Sequence, residues 1–407
     1  MSRDVSDVNI GKTGFVSVSY YSKKYSEFRV NNRPAMTFLA LFLGVFLVAC
    51  SDGGSDRNNN QPTEPTEPTE PETVPFQELF DQGIGRYFGE YTPMLSEESG
   101  GIVTHTFGSG DGPLCLDGSE YRMATLDAGS EDLLIFLQGG GACWSEFCAA
   151  SENAGPGIPQ VGILDPNRAD NPVAGYNVAY FPYCDGGLHG SDRDTDTNGD
   201  GDPDRFQRGL HNLSAGLDVA LAEFPEPRRI VLMGASAGGL GTSFALPLVR
   251  HHYPDVRIDV INDSGIGVAR PDQPEFLELL FDDWNAREFI PASCPECIAD
   301  DGHLSDFHVW QMNEDPDVRR GMLSYSYDTT FAEFFLMIGQ AAWEEALYPE
   351  MQQLEDAHPE RSKYWIPVGV GHTFVQAAPD VSAGGVSLMA WIAAMLDDSD
   401  DWVSVQD

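Results

Sequence analysis

Between Arg229 and Val249 an apolar run of strand length, Arg229 to Met233, passes through Gly234-Ala235-Ser236-Ala237-Gly238-Gly239 into a second apolar segment, Leu240 to Val249. Joining a strand to a helix through so few residues forces a tight turn. Only small residues fit there, because Cβ groups on the neighbours would clash. A serine inside such a turn is displayed as a nucleophile elbow displays one, which makes Ser236 the candidate nucleophile. Glycine-rich strand-to-helix turns also bind phosphates or merely connect elements, so the motif gains meaning from its company.

That company lies about a hundred residues earlier. Leu133 to Leu137 reads as a buried strand and runs into Gln138-Gly139-Gly140-Gly141-Ala142-Cys143-Trp144. Three consecutive glycines at the carboxyl end of a central strand leave backbone N–H groups uncovered, as in a lipase-type oxyanion hole; a flexible turn is the plain alternative. A serine hydrolase then needs an acid and a base downstream, in the order Ser, Asp, His. The candidate base is His372, in Val368-Gly369-Val370-Gly371-His372-Thr373-Phe374, after the strand-like Tyr364 to Val368. Two aspartates end apolar runs: Asp263 after Ile258 to Ile261, and Asp328 after Met322 to Tyr327. Hydrolases of this plan usually take the acid from a strand later than the one following the nucleophile helix, which favours Asp328. Asp263 is then a loop-ordering carboxylate or a substrate contact. His251 and His252 fall at the end of the helix after Ser236, where a cation suits the helix dipole without any catalytic role.

Apolar strand-like runs recur at Leu133, Tyr176, Ile230, Ile258, Met322 and Tyr364, separated by helical or loop-rich stretches. This alternation predicts an α/β fold over residues 76–407: an α/β-hydrolase-like, doubly wound, mostly parallel sheet with a loop or helical cap. Residues 1–49 read as a signal segment with an uncertain start. Met36 to Ala49 is apolar but shorter than the roughly 18 residues needed to span a bilayer. It ends in Leu47-Val48-Ala49-Cys50, which looks like a bacterial lipobox with Cys50 as the lipidated residue. Ser51 after the cysteine is compatible with outer-membrane sorting; a plain signal peptide or hydrophobic anchor is the alternative. Residues 50–75, with three Thr-Glu-Pro units, hold too few apolar side chains to fold and read as a tether. The expected location is therefore the bacterial cell envelope, with the membrane reached only through the anchor.

These residues together resemble one family, the pectin acetylesterases and their animal relative, the Wnt-deacylating carboxylesterase Notum. The likeness runs from Cys115-Leu116-Asp117-Gly118-Ser119 through the Gly139–Gly141 turn, Tyr183-Cys184-Asp185-Gly186, Arg205 to Gly209 and Gly234 to Leu240. It continues in Asp263-Ser264-Gly265, Tyr327-Asp328 and Gly371-His372. The resemblance implies a triad of Ser236, Asp328 and His372, oxyanion donors at Gly140, Gly141 and Ala237, and disulfides Cys115–Cys184 and Cys143–Cys148. The family usually has Trp directly after the glycines; this chain has Ala142 there and Trp144 two places on, so the pocket wall differs. Trp144 and Phe147, with the short Cys143 to Cys148 loop, are expected to close the acyl pocket.

Apart from Cys50, six of the seven cysteines remain, an even number suited to disulfides in an oxidising compartment. Cys294 and Cys297 are left to pair, or to form a zinc site with His303 and His308. Asp194, Asp196, Asn198, Asp200 and Asp202 alternate around Gly199 with the spacing of a calcium loop, but the twelfth place holds Arg205 instead of the bidentate Glu. A structural calcium or a solvated acidic loop both fit; no cofactor is required for the chemistry. With 64 acidic against 23 basic residues, nucleic acid is excluded as a ligand, and a polyanionic glycan would meet repulsion.

The sequence thus predicts an exported serine carboxylesterase that hydrolyses acetyl esters on a polysaccharide or small ester through an acyl-serine. The alternatives are a lipase, lipid deacylase or polyester hydrolase with the same triad, and a surface glycan-binding protein without turnover.

Overall fold

The computed structural model describes residues 74–407 except Ser109, Ala299 and Asp300. The signal segment, Cys50 and the tether up to residue 73 lie outside the described residues.

The apolar runs pair into one ten-stranded sheet. Across it, the strands occur in the order Leu95–Ser99, Ile102–Thr106, Arg122–Leu126, Asn177–Phe181, Asp132–Leu137, Arg229–Ala235, Arg257–Asp263, Arg319–Leu323, Ser362–Ile366 and Val405–Gln406. The seven from Asn177–Phe181 onward are parallel, and the first three form an antiparallel edge. All six runs singled out in the sequence fall in or beside the parallel part. The antiparallel edge was not anticipated: its outermost strand, Leu95–Ser99, is exposed throughout and has no apolar signal to read.

Because side chains alternate along a strand, the central strands feed two cores. Leu133, Ile135, Leu137, Ile230 and Leu232 face one side, and Leu134, Phe136, Val231 and Met233 the other. The first side is covered by helices, among them Gly209–Glu223, Ala237–His252 and Gln340–Ala357. The second is closed by helix Leu388–Leu396 together with the loop residues Ile158, Ile163, Leu164 and Val173. The architecture is α/β-hydrolase-like, with helices unequally shared between the faces. No helix among the described residues is long and apolar enough to cross a membrane.

Among the described residues three disulfides form: Cys115–Cys184, Cys143–Cys148 and Cys294–Cys297. The last overturns the zinc alternative, since sulfurs bonded to each other are not thiolate ligands. His308 is instead fully buried against Arg320 and Ser243, and His303 is bonded to the Ala269 N–H.

Candidate active site

In an open parallel sheet, chemistry collects at the carboxyl ends of the strands. Here five of those ends converge. The strand Asp132–Leu137 delivers the glycine turn, and Arg229–Ala235 delivers Ser236. Arg257–Asp263 ends on Asp263, Arg319–Leu323 leads to Asp328, and Ser362–Ile366 leads to His372.

Ser236 sits at φ 57° and ψ −120°, a left-handed conformation that a serine adopts only under constraint. The constraint is local. A Cβ at Gly234 would lie 2.0 Å from the Gly238 carbonyl oxygen, and one at Gly238 would lie 2.1 Å from the Leu137 oxygen, so the turn closes only with glycine at both. The Ser236 N–H donates to the Asp263 carbonyl at 2.7 Å, pinning the turn to the neighbouring strand.

The structure brings Ser236, His372 and Asp328 into contact. His372 Nε2 lies 2.7 Å from Ser236 Oγ, and Nδ1 lies 2.7 Å from Asp328 Oδ2. Asp328 is fully buried, and its Oδ1 accepts the backbone N–H groups of Thr330 and Phe331. With both carboxylate oxygens engaged, the imidazole is held with Nδ1–H toward Asp328 and the Nε2 lone pair toward the serine. Asp263 is not part of this line. Its Oδ2 accepts from the N–H of Phe374 and Val375 at 2.7 and 2.8 Å, fastening the loop that carries His372, and burial pushes its carboxyl up to about 7.

Two openings meet at Ser236. One is a pocket of about 30 Å³ bounded by Gly141, Ala142, Leu188, Ala237, Leu240, Phe331 and Phe335. The other, about 390 Å³, is bordered by Gly139, Gly140, Gly141, Ser236, Phe335 and His372. Gly140, Gly141 and Ala237 line these two openings beside Ser236. Trp144 and Phe147 do not wall the small pocket. Their hairpin, Gly141–Trp144 with Phe147–Ala150, turns them into an adjoining cleft.

Sequence reasoning missed the segment that shapes both the glycine turn and the small pocket. Asp185, almost fully buried, accepts hydrogen bonds from Gly187 N–H, His189 N–H and Ser191 Oγ–H. It thereby holds Leu188 and His189 at φ 60° and 65°. Leu188 then faces the pocket, and His189 Nε2 lies 2.9 Å from the Gln138 carbonyl at the head of the glycine turn. Burial lowers the His189 pKa, so the ring is neutral and donates this bond from Nε2–H. Asp185-Gly186-Gly187 in the sequence is a turn signal, but left-handed Leu and His cannot be read from it.

The calcium-loop residues lie on the hairpin Arg193–Thr195 and Arg205–Gln207. Asp194 is paired with Arg208, while Asp196, Asn198 and Asp200 accept backbone N–H groups of their own loop. Among the described residues, Asp301, His303 and Glu350 also have candidate ligand atoms within 4.8 Å of one another. His303 Nδ1 accepts the Ala269 N–H, however, which leaves the neutral ring's proton on Nε2, 3.9 Å from Glu350 Oε1. A nitrogen carrying that proton is not a metal ligand.

Fold and site together define an α/β-hydrolase-type protein with a serine at the strand-to-helix turn and a glycine turn beside it. Residues 102–301 match the family described as Pectinacetylesterase. Pectin acetylesterase 4 of Arabidopsis thaliana is similar, 29% identical over 170 residues, which is 38% of this chain and 41% of that protein. Over these residues the chain is similar to the pectin acetylesterase family. It spans about two fifths of the length of the curated relative it matches. The family match includes the glycine turn, Ser236 and Asp263 and ends before Asp328 and His372, whose assignment rests on geometry.

Proposed function

We propose that this chain is a serine carboxylesterase that removes acetyl groups from a polysaccharide. The observation that carries the reading is the contact of Ser236, His372 and Asp328 beside a narrow apolar pocket of about 30 Å³. In the proposed mechanism His372 Nε2 takes the Ser236 proton as Oγ attacks the ester carbonyl. The oxyanion is received by N–H groups of Gly140, Gly141 and Ala237, and Asp328 stabilises the imidazolium. Collapse expels the sugar hydroxyl, which takes the proton from His372. Water, deprotonated by the same nitrogen, then attacks the acyl carbonyl, and collapse releases acetate as Ser236 Oγ takes the proton back from His372. The match of residues 102–301 to the pectin acetylesterase family supports acetyl ester hydrolysis, and the name of the Arabidopsis relative points the same way.

Export and anchoring through Cys50 belong to the same proposal, and three disulfides suit an oxidising compartment. Metabolic labelling with palmitate should mark the full-length chain and be lost in Cys50→Ala. For the chemistry, a fluorophosphonate probe should label the wild type and not Ser236→Ala, and the wild type should release acetate from acetylated polysaccharide. A folded protein that neither labels nor releases acetate would instead be a glycan-binding protein without turnover.

A further inference from the structure

Beside the small pocket runs a cleft of about 560 Å³, the size range of a ligand site, which the proposed chemistry does not use. Only one layer of side chains separates the two. Phe335 borders the pocket at Ser236, and the Phe147 ring meets Phe334 and Phe335 edge-on at 5.5 and 5.9 Å. On its far side Phe147 stacks on Trp144 at 4.5 Å, and Trp144 meets Phe276 edge-on at 5.6 Å. Trp144 and Phe147 are both partly exposed, so the cleft has an open aromatic floor one short step from the nucleophile.

The remaining walls are polar in both senses. The Arg270 guanidinium lies 3.7 Å over the Phe276 ring and donates to Gln273 Oε1 and the Phe335 carbonyl. It forms no salt bridge among the described residues, Asp272 being the carboxylate that acts on it from nearby, and its Nε has no hydrogen-bond acceptor. Arg193, paired with Asp283 at 3.6 Å, adds a second cation; Asp282 is paired with Arg287 at 2.7 Å, and Glu146 supplies a third carboxylate to the same cleft. Donors and acceptors thus stand around an aromatic face. A pyranose ring presents the matching surface: an apolar C–H face for the aromatic ring, and equatorial hydroxyls that both donate and accept. A uronate unit would bring its charge against three carboxylates of a chain with net charge −41.

We infer that this cleft is a subsite for a neutral pyranose unit of the polysaccharide, next to the acetylated unit at Ser236. The inference rests on the esterase reading of Ser236 and extends it from the ester to the polymer. The cleft positions the acetylated unit by holding its neighbour, so its effect is seen with oligosaccharides and not with esters too short to reach it.

The test has two parts. Full-length Ser236→Ala protein is titrated with unacetylated xylotetraose, mannotetraose, cellotetraose and tetragalacturonate, following tryptophan fluorescence and heat. At least one neutral tetrasaccharide should bind saturably, and tetragalacturonate about tenfold more weakly or not at all. Binding should weaken about tenfold in Trp144→Ala and in Leu279→Glu, the latter at an exposed position of the opposite wall that tolerates substitution. In the active enzyme, the ratio of kcat/KM for the acetylated oligosaccharide to that for 4-nitrophenyl acetate should fall by a similar factor in both variants. Absence of neutral tetrasaccharide binding, tighter binding of tetragalacturonate, or an unchanged ratio in both variants overturns the subsite, even if Ser236-dependent hydrolysis of 4-nitrophenyl acetate is intact. The converse, binding without any hydrolysis, would overturn the esterase reading and leave the subsite standing.

Discussion

Asp328 Oδ2 stands 2.7 Å from His372 Nδ1, and no other carboxylate among the described residues shares that contact. Asp263, the other aspartate at a strand end nearby, reaches the backbone of the same loop two and three residues further on. The two carboxylates should therefore fail differently. Ser236→Ala and His372→Ala should each lower kcat by about a thousandfold or more, and Asp328→Asn by a comparable or somewhat smaller factor, because these groups act as a unit. Asp263→Asn should change kcat only a few-fold while lowering the melting temperature. Steady-state kinetics and thermal unfolding of the four purified variants check this; a dead Asp263→Asn beside a near-normal Asp328→Asn would reverse the assignment.

The Asp263 carboxyl also sets a pH dependence of stability. Its pKa, near 4 in an unfolded chain, is pushed up to about 7 by burial, against the lowering effect of its two backbone N–H bonds. Between those values the unfolded state has released the proton and the folded state has not, so stability falls as pH rises. The contribution is fully present below about pH 4 and is lost progressively toward about pH 7, amounting to a few kcal/mol. Urea unfolding at intervals from pH 4 to 8 should show this decline in the wild type. The decline should be shallower in Asp263→Asn, and identical slopes would rule out Asp263 as its source.

How much of this was legible in the sequence depends on how local each feature is. The turn at Ser236 and the glycine turn could be read because backbone crowding at Gly234 and Gly238 admits nothing larger. The parallel strands could be read because both their faces are buried. Which aspartate faces His372 needed the three-dimensional course of two loops, since Asp263 and Asp328 both end apolar runs. The small pocket could not be read at all. Leu188 reaches it through a left-handed turn templated by buried Asp185, and Phe331 and Phe335 arrive from a segment about a hundred residues after Ser236. Nor could the acidic alternation from Asp194 to Asp202 show that Arg208, across the hairpin, pairs with its first member.

The disulfides should separate stability from activity. Cys115–Cys184 links residues 69 apart, so its loss should cost about 4 kcal/mol by loop entropy. Cys143–Cys148 spans 5 positions and should cost about half as much. Its place matters more, because the Cys143 carbonyl accepts from Gln207 Nε2 and Trp284 Nε1 and its N–H donates to Gly186 O, just after the glycine turn. The Cys143→Ser/Cys148→Ser pair should therefore lower kcat more than it lowers stability. Denaturant unfolding and kinetics of the two double variants distinguish the cases.

Acyl-chain preference follows from the pocket at Ser236. Its walls are Leu188, Leu240, Phe331 and Phe335, and about 30 Å³ remains between them. A longer chain would have to displace these groups or leave the carbonyl short of Oγ, and a misplacement of about 1 Å costs on the order of a hundredfold in rate. For the wild type, kcat/KM should fall steeply from acetyl to octanoyl esters of 4-nitrophenol. Phe335 is the wall to remove, because it is only partly buried and its loss opens the pocket toward the cleft lined by Phe147 and Trp144. In Phe335→Ala the ratio of kcat/KM for butyryl or hexanoyl over acetyl ester should rise at least about tenfold, by relief of the same exclusion. Leu240→Ala, on the opposite wall, should act in the same direction at a larger stability cost, about 2–5 kcal/mol for a buried leucine. A wild-type profile that rises toward octanoyl would mean that the pocket opens on binding, and the chain would then act as a lipase or lipid deacylase.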